Sequence, residues 1–359
     1  LTSPALLLES LLIGFNLHHI PLQCLHVSRL VIAIRLKITN RNDKMNEAII
    51  RLEGLTKYYG ALPAVKSLDL EIHAGEILGF LGPNGAGKTT CINMMCGLLR
   101  PDAGQVFLHD VPITVSNADV RSRIGLCPQE VALWGRLNCA EQLQFMGMMH
   151  GQTRSQAREA SHHLLEVFEL TEHRRKQARK LSGGMQRRLN VAMSLIHDPE
   201  VVFLDEPEVG LDPQSRIMVR EYIRGLAGSK TIILTTHNMD EADRIAHRVA
   251  IIDHGMLIAL GTPESLKRSI GEEDVLEVEI LGIPSDTTDF QKSVADLGCQ
   301  VESAPSDDVI LVRGREVIAQ LPAIVEILNR TTLSYGEIRI RQTTLEDVFI
   351  HHTGRSLRE

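Results

Sequence analysis

The sequence predicts an α/β protein: a parallel sheet covered by helices on both faces that presents a phosphate-binding loop, followed by a smaller α+β appendage. Three observations carry this. A glycine-rich run, "GFLGPNGAGKTT" (Gly79 to Thr90), lies between an apolar strand and a helical pattern; a second apolar strand, "VVFLDE", ends in two acids; and beyond Ile270 strands and helices alternate in the order βαββαβ.

Taken in order, residues 1–44 carry apolar pieces, "ALLL", "LLIGF" and "LVIAI", broken by Glu9, Asn16, His18, Pro21, Gln23 and Arg29. The segment has five Lys or Arg against two acids, begins with Leu, and stops just before Met45. It reads as an extension upstream of the true start at Met45, disordered or outside the protein proper; an amphipathic arm on a membrane surface is the alternative. From Ile49, "IIRLEGLTKYYG" and "LDLEIHAGEILGFLG" read as two strand runs bounded by Gly turns, the second feeding the glycine loop. "TTCINMMCGLL" has helical spacing and stops at Gly97.

Polar-rich amphipathic helices, "EQLQFMGMMHG" and "AREASHHLLEVFEL", make residues of about 130–180 a helical insert. "VVFLDE" and "TIILTTH", separated by the helix "SRIMVREYIRGLA", restore the strand, helix, strand alternation. "VAIIDHGMLIALG" closes as a hairpin on Gly255. The domain so delimited runs over 45–270, and residues 271–359 form a ferredoxin-like appendage. Its tail, "TTLEDVF", opens a short helix with Thr343 and Glu346 at capping-box spacing.

Composition narrows the function classes. The formal net charge is -7, without the basic excess that would make nucleic acid the default partner. Six cysteines contain no CxxC pair, which argues against a zinc site or disulfide framework and fits a reduced cytosol; the histidine doublets lack metal-site spacing. No stretch reaches the ~18 uninterrupted apolar residues of a spanning helix.

The chemistry sits in the motifs. Gly82, Pro83, Asn84, Gly85, Ala86, Gly87, Lys88 and Thr89 fit G-x-x-x-x-G-K-[ST], with Thr90 continuing the helix. Glycines let backbone N–H groups converge on phosphate without a Cβ in the way, and the helix N-terminus adds partial positive charge. Lys88 is placed for the β- and γ-phosphates and the Thr89 hydroxyl for Mg²⁺. Asp205, at the end of its apolar strand, is the matching Mg²⁺ carboxylate, and Glu206 beside it is placed to polarise water for in-line attack.

Between loop and acids stands "KLSGGMQRRLNVAMSLIHDP", in which Ser182, Gly183, Gly184, Met185 and Gln186 open an amphipathic helix; hydroxyl and backbone N–H groups there make a second anion site. With the glycine loop and the acidic strand, this run resembles the signature of the ATP-binding cassette (ABC) family. The resemblance spans about Ile49 to Ile270 and implies further roles. Tyr59 matches the aromatic that stacks on adenine, with Tyr58 as an alternative and a core tyrosine as the bland reading. Gln129 matches the Q-loop glutamine, which touches Mg²⁺ or the attacking water; Asp212 matches the D-loop; His237 matches the switch histidine that contacts the γ-phosphate. "TLEDVFIHHTGR" is similar to the tail of exporter ATPases of the daunorubicin-resistance kind. Glu208 departs from the family, where many members have Thr.

That resemblance implies a P-loop NTPase fold and an ATPase using ATP and Mg²⁺. It also implies a dimer, of two copies of this chain in the simplest case, in which the glycine loop of one subunit and the signature of the other enclose each nucleotide. A separately encoded integral membrane permease completes the expected assembly, at the cytoplasmic face of the inner membrane. The competing class is a soluble cassette ATPase acting on ribosomes or DNA; the single cassette and the short interval between loop and signature count against it. A nucleotide-gated module without turnover is opposed by Glu206 and His237 together.

Overall fold

The computed structural model describes residues 47–359, apart from 115, 271–273, 282–287, 304–308, 315–316, 332 and 355–359. The expectations for residues 1–44 therefore lie outside the described residues.

Chain order begins with two long strands, β1 (Ala48–Tyr59) and β2 (Leu62–His73), then the short, wholly buried β3 (Ile77–Leu81). Here the structure corrects the sequence reading. "LDLEIHAGEILGFLG" is not one run: it breaks at Gly75, whose φ of +76° turns the chain out of β2 and into another sheet. Helix α1 (Lys88–Met95) follows the glycine loop, and then come β4 (Ala103–Leu108), β5 (Val111–Pro112), α2 (Ala118–Ser122) and β6 (Ile124–Cys127). The helical insert contributes α3 (Cys139–Met149) and α4 (Arg154–Val167), and the signature opens α5 (Gly183–Leu195).

The second half of the core runs β7 (Val201–Asp205), α6 (Pro213–Leu226), β8 (Thr231–Thr236), α7 (Met239–Ile245), β9 (Arg248–Asp253) and β10 (Met256–Gly261), then α8 (Pro263–Ser269). Its sheet has the order β10-β9-β3-β8-β7-β6, parallel from β9 to β6 and closed at one edge by the antiparallel β9–β10 hairpin. β3, β7 and almost all of β8 are buried, as expected of parallel strands covered on both faces. A second sheet, β2-β1-β4-β5, is antiparallel. It packs its apolar face, including Ile50, Leu52, Leu70 and Val106, with Cys91, Met94 and Met95 of α1. Burial at roughly 25 cal/mol per Å² makes this cluster the support of the loop's helix.

The appendage is the βαββαβ unit that the sequence predicts: β11 (Val275–Ile280), α9 (Thr288–Ala295), β12 (Cys299–Ser303), β13 (Val309–Gly314), α10 (Val317–Arg330) and β14 (Tyr335–Arg341). Its sheet order, β12-β13-β11-β14, with every pairing antiparallel, is ferredoxin-like. The last helix, α11 (Leu345–Thr353), starts one residue later than expected. Thr344, not Thr343, is the N-cap, and Asp347, not Glu346, closes the capping box. The reason lies in Asp347, which also accepts from Arg313 and Arg341 and so draws the cap to itself. α11 buries Leu345, Val348 and Phe349 among Leu81, Met239, Ala242, Val249, Ile251 and Leu266, so the appendage's final helix packs on the core sheet.

Candidate active site

The loop from Gly82 to Gly87 leaves the C-terminal end of β3, where open parallel sheets place ligands. Two of its glycines are sterically required. A Cβ on Gly82 would lie 2.1 Å from Ile252 O, and one on Gly87, at φ +103°, would lie 2.3 Å from Ala64 O. Only glycine lets the loop lie against β2 and β9 and leave a concave backbone. Ala86 is buried while Asn84 and Gly85 are exposed at the tip. α1 has no side-chain cap and no acid in its first turn, so its N–H groups are free for an anion.

Lys88 reaches back across the loop, donating to Gly82 O at 2.7 Å and Pro83 O at 2.9 Å. Burial pushes its ammonium below the ordinary lysine range, against the pull of Glu206 and Asp205. One position on, the Thr89 hydroxyl donates to Asp205 Oδ2 at 3.0 Å, bringing strand β7 and helix α1 together. The other carboxylate oxygen of Asp205 accepts from Thr235 Oγ1. Thr89 and Asp205 thus form a pair of hard oxygen donors of the kind Mg²⁺ prefers.

Glu206 is 7% exposed and sits at φ +49°, a left-handed conformation that costs a non-glycine residue roughly 1–2 kcal/mol. Thr235 holds that peptide, accepting from Glu206 N through its hydroxyl at 3.0 Å and through its carbonyl at 3.2 Å. The side chain is held as well: Oε1 lies 3.1 Å from His237 Nδ1, and Oε2 accepts from Gln129 Nε2 at 3.4 Å. Gln129, Glu206 and His237, predicted from widely separated motifs, therefore meet at the ends of β6, β7 and β8. His237 also lines an open cleft with Pro83, Asn84, Asp240 and Glu346.

The signature stands apart from this cluster. Ser182 caps α5, its hydroxyl accepting from Met185 N, and it is exposed together with Gly183. Among the described residues no side-chain hydrogen bond joins Ser182, Gly183 or Gly184 to the glycine loop of the same chain. A Cβ on Gly184 would instead lie 3.7–3.9 Å from Leu211, Gly210 and Asp212. Asp212 caps α6, and its bonds from the Ser215 hydroxyl and amide hold its carboxyl below the usual range. Gln186 turns its amide to Ala178 O and Leu181 O, inside its own subunit. Tyr58 and Tyr59 are 49% and 54% exposed, so neither is a core tyrosine and both remain open to a base.

Two residues that sequence reasoning missed complete the site. Thr235 donates to the Asp205 carboxylate and accepts from the Glu206 amide, and a threonine at the C-terminal end of a central strand beside "FLDE" was its signal. Arg187 is 3% exposed in α5, with Val191 and Leu195 on the same buried face, a helical spacing visible in "RRLNVAMSL". It donates to Pro128, Gln129, Asp205, Glu206 and Pro207 carbonyls.

Residues 65–209 match the ABC transporter family model. The chain is 37% identical over 319 residues to the daunorubicin resistance ATP-binding protein DrrA3 of Streptomyces coeruleorubidus, covering 86% of this chain and 97% of that one. The chain belongs to the ABC transporter ATP-binding subunits. Other members of the family similar to it are the linearmycin resistance ATP-binding protein LnrL of Bacillus subtilis (34% identical; 87% of this chain, 100% of that one) and the Nod factor export ATP-binding protein I of Ralstonia nicotianae (39%; 87% and 95%). Among solved structures, cbiO1 of Clostridium perfringens superposes with a TM-score of 0.56 at 26% identity, covering 62% of this chain and 91% of that one. The cassette MJ0796, described with ADP and Pi as a dimer, matches at 0.56 and 24% identity, over 59% of this chain and 98% of its own, and bears on the fold alone. This ABC subunit binds ATP and is an ATPase. Among its described residues no helix is long and apolar enough to cross a membrane.

Proposed function

We propose that the chain is the ATP-hydrolysing subunit of an exporter, pairing with a second copy around two nucleotides and driving a separate membrane permease from the cytoplasmic face. The observation that carries this is the convergence of Gln129, Glu206 and His237 beside the Thr89–Asp205 pair, with the signature turned outward on the same chain. Resistance and export functions in the names of its relatives support the direction of transport.

In this reading the backbone of Gly82 to Gly87 and the Lys88 ammonium bind the phosphates, and Tyr59 stacks on the adenine. Thr89 and Asp205, with the Gln129 amide, would hold Mg²⁺, which supplies charge neutralisation between the phosphates. Glu206 accepts the proton of the attacking water, its side chain fixed by His237 and Gln129 rather than free to swing to solvent. Ser182, Gly183 and Gly184 serve the nucleotide held by the partner copy, and Asp212 lies at that seam. A groove of about 530 Å³ beside the Gln129 segment, lined by Leu126, Val131, Leu133, Trp134, Met146 and Met193, is the face assigned to the permease. Val131 and Trp134 stand exposed on its rim.

The test is Glu206→Gln. Hydrolysis is expected to fall by about 10²-fold or more, the range for loss of a general base, while MgATP still binds and traps a dimer visible by light scattering. The same variant, used as bait in native membranes, is expected to retain a stoichiometric polytopic protein. Wild-type turnover would remove Glu206 from its role; a monomer in MgATP would remove the sandwich; ribosomal or DNA partners would overturn the transport assignment.

A further inference from the structure

Arg187 uses all five of its N–H donors, and every one goes to a backbone carbonyl. Nη1 donates to Pro128 O and Gln129 O, both at 2.8 Å; Nη2 donates to Asp205 O at 2.5 Å and Glu206 O at 2.6 Å; Nε donates to Pro207 O at 3.3 Å. None of these acceptors is a carboxylate, so the buried guanidinium is satisfied by peptide dipoles alone. A buried charge is retained only where its hydrogen bonds are complete, and a rigid planar fork meets five fixed carbonyls only if their segments keep their relative positions.

Those segments belong to different parts of the site. Pro128 and Gln129 begin the stretch that leads to the apolar groove; Asp205 to Pro207 contain the left-handed Glu206 peptide; Arg187 itself rides on α5, whose first turn is the signature. Asn190, one turn further along α5, adds a second tie to the same stretch, donating to Cys127 Sγ at 3.2 Å and accepting from Ala132 N at 3.3 Å. On the other side of the Glu206 peptide, Thr235 holds the amide. The strained peptide is thus gripped at its N–H by β8 and at its C=O by α5.

We propose that Arg187 is a positioning residue that fixes Glu206 and Gln129 relative to one another and relays movement of the signature helix, or of the groove segment, to the catalytic carboxylate. This rests on the reading of Glu206 as general base. In a sandwich of two copies, α5 touches the partner's nucleotide through Ser182 while Arg187 holds the Glu206 of its own subunit. The relay therefore connects the two nucleotide sites through one helix.

Arg187→Lys keeps the charge, but a single nitrogen cannot span the two segments, and the variant retains enough polarity to fold. In the full chain, MgATP affinity is expected to stay within about threefold of wild type while kcat falls about ten- to a hundredfold, the scale of a catalytic group displaced by about 1 Å. Introduced into Glu206→Gln, the same change is expected to reduce the residual rate by less than about threefold, because the group it positions is gone. In Arg187→Ala, millimolar guanidinium is expected to restore part of kcat. Wild-type kcat in Arg187→Lys, an equal factor lost with and without Glu206, or nucleotide affinity and kcat falling together with the folded fraction would each overturn the relay. Full activity in Glu206→Gln alone would refute the general-base reading beneath it. A relay that fails by itself looks different: Glu206→Gln is inactive and Arg187→Lys is not.

Discussion

The glycine loop and the final helix, α11, lie against the same sheet and are held by opposite means. The loop depends on what is missing: Gly82 and Gly87 have no Cβ, and α1 has no side-chain cap, so backbone donors stay available. α11 depends on what is present. Asp347, 2% exposed, closes the capping box, accepts from Arg313 at 2.6 Å, and accepts two bonds from Arg341, which also reaches Glu277. Desolvation works to raise the Asp347 carboxyl, and the bonds from Arg341 and the Thr344 amide, with the Arg313 charge, overcome it and hold the group well below the usual carboxylate range. One region keeps donors unsatisfied for a ligand; the other satisfies its buried carboxylate internally.

The largest expected effect follows from the second region. Asp347→Ala leaves Arg313 and Arg341 without their shared acceptor and removes half of the capping box of α11, and breaking a buried pair costs on the order of 3–5 kcal/mol. Chemical denaturation is expected to show the appendage unfolding first, at reduced denaturant. The sign with pH follows from the depressed carboxyl: the stabilisation is present above the unfolded carboxylate pKa and is lost as pH falls toward the folded value, a loss Asp347→Asn should abolish. A single transition at wild-type midpoint would show that the network adds nothing.

That contrast also explains what was legible in the sequence. The proposed nucleotide site was readable because phosphate, metal and water chemistry require particular residue types at fixed spacing, so Lys88, Asp205, Glu206 and Ser182 could be proposed before any fold was known. The Asp347 network was not, because Glu277, Arg313 and Arg341 are ordinary strand charges until the antiparallel register brings β11 between β13 and β14. The one-residue slip from Thr343 to Thr344 has the same origin: two threonines in a row offer two caps, and tertiary partners choose. Likewise the break at Gly75 depends on which sheet each half joins, and the buried role of Arg187 depends on carbonyls contributed by two distant segments.

A smaller effect is expected at the loop. Gly87→Ala forces a side chain into left-handed backbone, costing roughly 1–2 kcal/mol before any clash with Ala64 O. Because the loop and not the core must shift, MgATP affinity is expected to fall at least about tenfold while the appendage keeps its own unfolding midpoint. Unchanged affinity would mean that the tight approach to β2 is dispensable for binding.

Glu208 offers an intermediate case, a cassette residue that behaves like a poorly satisfied version of Asp347. Its Oε1 is buried without a hydrogen-bond partner among the described residues, and burial, with Glu241 nearby, pushes the carboxyl up to about 7 against Arg216, Arg220 and Arg244. A carboxyl raised in the folded state makes stability fall as pH climbs from about 4.5 to about 7. Glu208→Gln is expected to flatten that slope and to gain on the order of 1 kcal/mol at pH 8, discounted for the side chain's partial solvation. An unchanged slope would show that Glu208 is ionised at no cost.

The smallest expected effect tests where the two regions meet. Glu346 belongs to α11, yet it lines the cleft with Pro83, Asn84, His237 and Asp240. A carboxylate there opposes the approach of a polyphosphate, and through partly solvated space such a repulsion amounts to a few tenths of a kcal/mol up to about 1 kcal/mol. Glu346→Gln should therefore tighten MgATP binding by less than about fivefold, with the gain larger at low ionic strength because the screening length shortens as salt is added. Since Glu346 takes no part in the Asp347 network, unfolding of the appendage should be unchanged. A gain independent of salt would point to altered packing of α11 rather than to charge, and weaker binding would mean that Glu346 assists the nucleotide site instead of opposing it.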